Sequence, residues 1–256
     1  MFYKESKMDM NEYQHKSPVE LMNRSETYVD QGLRQYMIKV FNYMGLGLLV
    51  TALFAYLFAT VPALTSLLYV QTAQGFKMSG LGWIVTFAPL ILVFGFNYVA
   101  ANKSLSTMQF VFWLFSALMG ASLSWVCLAY TGHSVTRVFL ISAGTFGALS
   151  LYGYTTNRDL TKLGSFLFMG LIGLIIASLV NIFMQSTAMY WALSYIGVAI
   201  FVGLTAFDAQ RIKQMYYYGD GSGDLTERYA ISGALNLYLD FINLFIYLLR
   251  IFGDRR

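Results

Sequence analysis

Long uncharged runs separated by short polar clusters set the pattern of this chain. Charge-free intervals extend from Val40 to Phe76, Met78 to Asn102, Ser104 to Thr136, Val138 to Asn157 and Leu163 to Phe207. Each is long enough for a helix to cross about 30 Å of hydrocarbon at ~1.5 Å per residue. Dividing the longer intervals at turn-like clusters predicts seven spans, at about 37–60, 81–101, 108–130, 138–154, 163–184, 190–208 and 232–251. Pro62, NKSLST, TGHSVTR, TTNRDLTK and QSTAM mark the breaks, and the stretch around LLYV between the first two spans can also lie as a short interfacial piece.

Composition agrees with this pattern, since 57% of the 256 residues are apolar and only 12% are charged. Such values exclude a water-soluble globular domain. The fold class expected is an all-α integral membrane protein, a bundle of seven transmembrane helices over residues 31–256. Residues 1–30 are polar and mixed in charge, with no apolar core before a small-residue cleavage site. They read as a disordered tail, not as a signal peptide. Cys127 stands alone in an apolar run and is read as packing. His15 and His133 lack acidic or cysteine neighbours that would complete a ligand set.

Charge then orients the spans. With seven crossings, one side carries Lys4, Lys7, Lys16, Arg24, Arg34, Lys39, Lys103, Arg158, Lys162, Arg211, Lys213 and Arg228, against Lys77, Arg137, Arg250, Arg255 and Arg256 on the other. The richer side, with the N-terminus, is placed in the cytoplasm. A re-entrant last segment would instead return the three C-terminal arginines to that side; the full crossing is preferred. The net charge of +4 serves orientation and gives no reason to invoke nucleic acid. Small residues at four-residue spacing, Ser116, Gly120 and Ser124 in the third span and Gly144 with Ala148 in the fourth, suit close helix approach in lipid.

Only two acids lie inside the predicted spans, Asp208 and Asp240. Each costs about 2.5 to 3.5 kcal/mol near mid-membrane even on a permissive scale, so each marks a functional position. For Asp208 the plain alternative is an ion pair with Arg211, one turn on. Ser232, Asn236, Asp240, Asn243, Tyr247 and Arg250 follow one another at spacings of 4, 4, 3, 4 and 3. They form one polar stripe. Such a stripe belongs beside a polar cavity, the rival being hydrogen bonding between helices without one. The two aspartates meet only if the sixth helix extends into AQRIKQMYY and the seventh starts late. A pair so formed cannot ionise twice cheaply and shares a proton.

The segment GLTAFDAQRIKQMY, with ALSLYGYTTNRDLTKLG and ISGALNLYLDFINLFIYLLRIFG, resembles the transmembrane Bax inhibitor motif family, the Bax inhibitor-1-like integral membrane proteins, in its bacterial branch. The match covers everything after the tail. The resemblance implies a seven-helix bundle with the last helix central, and a pH-sensitive calcium leak of the inner membrane controlled by two aspartates, Asp208 and Asp240 by motif position. Some relatives carry a basic residue in the second span that latches an aspartate; Leu81 to Ala101 has none, leaving Arg211 or Arg250 as counter-charges. The last cytoplasmic loop, with GDGSGDLTERY, also reads as long.

Calcium takes six to eight hard oxygen ligands. Asp208 and Asp240 with carbonyls of Asn236 or Asn243 supply part of a shell, which suits a weak transit site. No cofactor is expected; calcium is the permeant ion, protons are the regulator, and the lipid bilayer is the surrounding partner. DGSGDLTE fails as a calcium loop, with Leu225 and Ile231 at positions that need glycine and glutamate. An intramembrane aspartyl protease is disfavoured, because Asp240 follows Leu-Tyr-Leu and no proline follows Pro89; the chain is not read as an enzyme. A proton-coupled cation exchanger, and a non-conducting regulator that binds other membrane proteins, remain the alternatives.

Overall fold

The computed structural model describes residues 18–72, 75–218 and 223–256, with side-chain surroundings from residue 31 onward. Helix α1 covers Pro18–Thr60 and a short α2 covers Pro62–Leu68. Strands β1 (Tyr69–Thr72) and β2 (Gly75–Met78) form an antiparallel hairpin with Tyr69 opposite Met78. Helices α3 (Gly80–Asn102), α4 (Leu105–Ser122), α5 (Ser124–Ala129), α6 (Gly132–Thr155), α7 (Thr161–Met184), α8 (Thr187–Tyr218) and α9 (Asp224–Phe252) follow. Seven stretches among the described residues are long and apolar enough to cross a membrane, α4 and α5 together forming the third. The protein is therefore an all-α integral membrane protein.

The turn clusters act where their chemistry directs. Ser79, Ser104 and Thr131 cap α3, α4 and α6 by accepting from the backbone N–H three residues on, which satisfies a donor that the helix leaves free. Gln185 ends α7 in the left-handed conformation, and Ser186 Oγ accepts from Met189 N as α8 begins. The LLYV stretch is divided between the end of α2 and β1. Helix α1 begins at Pro18, inside the segment read as tail; residues 1–17 lie outside those described.

Helix α9 packs against α1, α4, α6 and α8, with α3 outside α4 and α7 outside α8. This puts the last helix at the centre. Its Ala230, Ile231, Ala234, Leu237, Tyr238 and Leu244 are wholly buried. Tyr238 Oη lies 2.6 Å from Thr51 Oγ1, which also reaches the carbonyls of Gly47 and Ser116 at 2.9 Å. Three spans are thereby tied through one hydroxyl, each such bond contributing roughly 0.6 to 2 kcal/mol.

One small-residue face behaves as expected and one does not. A Cβ on Gly120 would lie 2.4 Å from the Thr51 carbonyl, so α4 and α1 touch backbone to backbone there. Gly144 and Ala148 are exposed, and a Cβ on Gly144 would meet nothing. Helix α6 approaches α8 through Gly153 instead, whose Cβ would fall 2.1 Å from the Ala206 carbonyl. Four-residue spacing selects a face of a helix but does not say which face meets protein.

Helix α9 crosses fully. Its end joins the α5–α6 junction: Thr131 N donates to Asp254 O at 3.1 Å, Arg256 N to Ala129 O at 2.9 Å, and Asp254 N to Ser134 Oγ at 2.8 Å. That junction lies on the face opposite Lys103 and the α6–α7 loop, which removes the re-entrant alternative.

Candidate functional site: an aspartate pair in an intramembrane cavity

Helix α8 continues ten residues beyond Asp208, to Tyr218. The extension foreseen from Ile212, Met215 and Tyr216 is present. The last helix, by contrast, starts early, at Asp224. The connection read as long is short, since only residues 219–223 separate the two helices. The predicted start near residue 232 followed the first apolar residues, whereas α9 begins with Asp224 and Glu227 in its first turn, where acids favour a helix.

Asp208 and Asp240 come together at the wall of one cavity, close enough for their side chains to interact. Asp240 is 5% exposed, and its Oδ2 is buried without a partner. Two ionised carboxylates are acceptors only, so a hydrogen bond between them requires one proton.

The stripe on α9 faces a cavity of about 860 Å³ lined by Asp208, Arg211, Asn236, Asp240, Asn243 and Tyr247, together with Pro89, Phe168 and other apolar groups of α3, α7 and α8. Pro89, inside α3, has no N–H to give to the carbonyl of Val85. Asn243 Nδ2 donates to the Leu239 carbonyl at 2.8 Å. Among the described residues Asn236 makes no hydrogen bond. These four α9 residues line the cavity, and two of them also reach side chains on neighbouring helices, Asp240 toward Asp208 and Tyr247 toward Ser178.

The two counter-charges fare differently. Arg211 lines the cavity and acts electrostatically on Asp208, but no ion pair forms between them. Arg250 does not serve the aspartates: its guanidinium stacks over Tyr190 and Tyr247, at the far end of α9. It lies ten residues beyond Asp240, or about 15 Å along the axis. Among the described residues no group of three acidic, cysteine or histidine side chains converges on a point.

Sequence reading missed the residues that fix the pair. Gln210, 8% exposed, accepts from Leu160 N at 2.9 Å and donates to Arg158 O at 2.7 Å. Lys213 Nζ donates to Tyr154 O at 3.0 Å. These bonds moor α8, at Gln210 and Lys213 just beyond Asp208, to the α6–α7 loop and the end of α6. On the other half, Lys39 pairs with Glu227, Tyr43 Oη donates to Glu227 Oε1 at 2.8 Å, and Arg228 Nη1 donates to Ala100 O at 2.7 Å. The only signal for Gln210 was a carboxamide, with donor and acceptor, two residues from an intramembrane acid.

Between the pair and the Lys103 face the space is filled. Ile212 and Ile231 are fully buried, and the rings of Tyr36 and Tyr216 lie 5.4 Å apart. Tyr36 Oη is buried without a partner. This packed layer lies on α8 beyond Asp208 and on α9 before Asp240.

The residues carrying this arrangement fall within residues 33–256, which match a family model described as "Inhibitor of apoptosis-promoting Bax1". The chain belongs to the Bax inhibitor family. Relatives of this Bax inhibitor-like chain include an uncharacterized protein of Rickettsia prowazekii, 47% identical over 234 residues, covering 91% of this chain and 95% of the relative. The inner membrane protein YbhL of Escherichia coli K12 is 45% identical over 236 residues, covering 91% and 98%. An uncharacterized membrane protein of Streptococcus pyogenes serotype M1 is 40% identical over 227 residues, covering 89% and 96%. Both aspartate-bearing helices of this Bax inhibitor family member lie inside these bounds.

Proposed function

We propose that this chain is a calcium leak of a bacterial inner membrane, made pH-sensitive by a proton shared between Asp208 and Asp240. The observation that carries the reading is the buried Asp240 carboxyl beside the half-buried Asp208 at the wall of a largely apolar cavity; the packed layer of Tyr36, Ile212, Tyr216 and Ile231 serves as the plug. With the proton bound, the pair joins α8 to α9 and carries one negative charge. With the proton lost, two like charges in a medium of low dielectric repel each other, and the site attracts a divalent cation. Flux is therefore low at acidic pH and rises as pH increases. Two carboxylates with the Asn236 and Asn243 carbonyls give calcium an incomplete oxygen shell, weak enough to release it.

Calcium uptake into proteoliposomes over a pH series tests this directly. A pH-independent rate would remove the proposal. Repeating the series with and without an imposed proton gradient separates the leak from an exchanger, since only an exchanger moves calcium uphill in response to that gradient.

Asn236→Leu and Asn243→Leu are each expected to lower flux without preventing insertion, because leucine favours the membrane. Unchanged flux in both would leave the stripe a packing device.

The inner-membrane orientation follows from the basic asymmetry, with Lys103 cytoplasmic and Arg256 outside. In a Cys127→Ser background, Lys103→Cys and Arg256→Cys should label from opposite sides, Lys103→Cys from the cytoplasm. Labelling of Arg256→Cys from the cytoplasm would invert the topology.

A further inference from the structure

At the other end of α9 a second cavity, of about 810 Å³, is lined by Asn181, Tyr190, Trp191, Arg250, Asp254 and Arg255 among others. Its charge is unusual. The guanidinium carbons of Arg250 and Arg255 lie 5.7 and 5.8 Å from the centre of the same Tyr190 ring. Arg250 also stands 5.0 Å over Tyr247, and Arg255 stands 5.8 Å over Tyr130 and donates from Nη2 to Tyr190 Oη at 2.8 Å. Among the described residues neither arginine has a carboxylate within ion-pair distance. Asp254, the acid of the lining, is engaged by Arg137 Nη2 at 3.1 Å.

Two guanidiniums held against one tyrosine repel each other; Arg255 gives one N–H to the Tyr190 hydroxyl and keeps the rest of its fork, while Arg250, among the described residues, makes only ring contacts. A tetrahedral oxyanion answers both conditions, because guanidinium forks match phosphate oxygens and a shared anion offsets the repulsion. The site also lies at the depth of lipid headgroups. Arg250 is in the last turn of α9, and Trp191 and Tyr195 stand partly exposed beside it, as aromatic residues do at a membrane boundary. Ile182, Phe183 and Met184, at the end of the adjoining α7, are exposed and offer a surface to acyl chains.

We propose that Arg250, Arg255 and Tyr190 form a phosphate-binding site, occupied by the headgroup of an anionic phospholipid. The site is separate from the aspartate cavity and stands whether or not the chain conducts calcium.

The test uses the full-length protein extracted from vesicles of phosphatidylcholine and phosphatidylglycerol, with retained lipid measured by native mass spectrometry. Wild type should keep phosphatidylglycerol over phosphatidylcholine. R250Q/R255Q should bind it about tenfold or more weakly, the expected loss for two charge-assisted contacts, whereas R34Q on the far face should match wild type. Equal retention by wild type and R250Q/R255Q overturns the site. Should the double variant not fold, the wild type decides alone: soluble dihexanoyl-phosphatidylglycerol should change tryptophan fluorescence in wild type and not in W191F, and no change in wild type overturns the site. Inorganic phosphate producing the same change at the same concentration overturns the lipid as the source.

Discussion

Asn at position 208 or 240 is expected to flatten the pH dependence of calcium flux, and the double variant Asp208→Asn/Asp240→Asn should add little to either single one. Asn keeps the size and hydrogen-bonding capacity of the carboxyl while removing the titratable group. Because interacting acids titrate as a unit, loss of one partner abolishes the shared state. Flux at acidic pH should no longer be suppressed relative to neutral pH. At high pH each single variant also lacks one negative charge at the transit site, so its maximal rate should fall below that of wild type. Two independent shifts that add in the double variant would show two separate sites, and Asp208 would then be a solitary acid near Arg211.

The second large effect concerns the plug. Ile212→Ala with Tyr216→Ala is expected to raise flux at acidic pH, where the proposed gating holds the wild type shut. Each truncation removes roughly 2 kcal/mol or more of packing from a buried site. About 1.4 kcal/mol moves a two-state equilibrium tenfold, so a tenfold rise or greater is expected if the closed form depends on this contact. Retained helicity and a single monodisperse species in detergent would establish that the variant is folded. A folded variant with unchanged acidic flux would place the seal elsewhere than Ile212 and Tyr216.

Asp208 and Asp240 were legible in the sequence because a carboxylate in hydrocarbon is expensive and these are the only acids in the predicted spans. The α9 stripe was legible because helical periodicity gathers Asn236, Asp240, Asn243 and Tyr247 whatever packs around them. What periodicity omits is distance along the membrane normal, and Arg250 shows the result: it shares the stripe but belongs to the opposite end. The start of α9 was misplaced for a related reason, since hydropathy marks where lipid begins, and the helix runs on into water through Asp224, Glu227 and Arg228. Gln210, Thr51, Tyr238 and Glu227 are ordinary polar residues whose partners lie 50 to 188 positions away. No local pattern announces such contacts.

The central claim is that one proton, held between Asp208 and Asp240, sets the leak. Infrared difference spectroscopy of the reconstituted protein observes that proton directly, through the carbonyl stretch of a protonated carboxyl. The account predicts one such band at acidic pH that disappears over the same pH interval in which calcium flux rises, and that is absent or shifted in both Asp208→Asn and Asp240→Asn. Absence of a protonated carboxyl band in the closed wild type, or a band unaffected by either substitution, would contradict it.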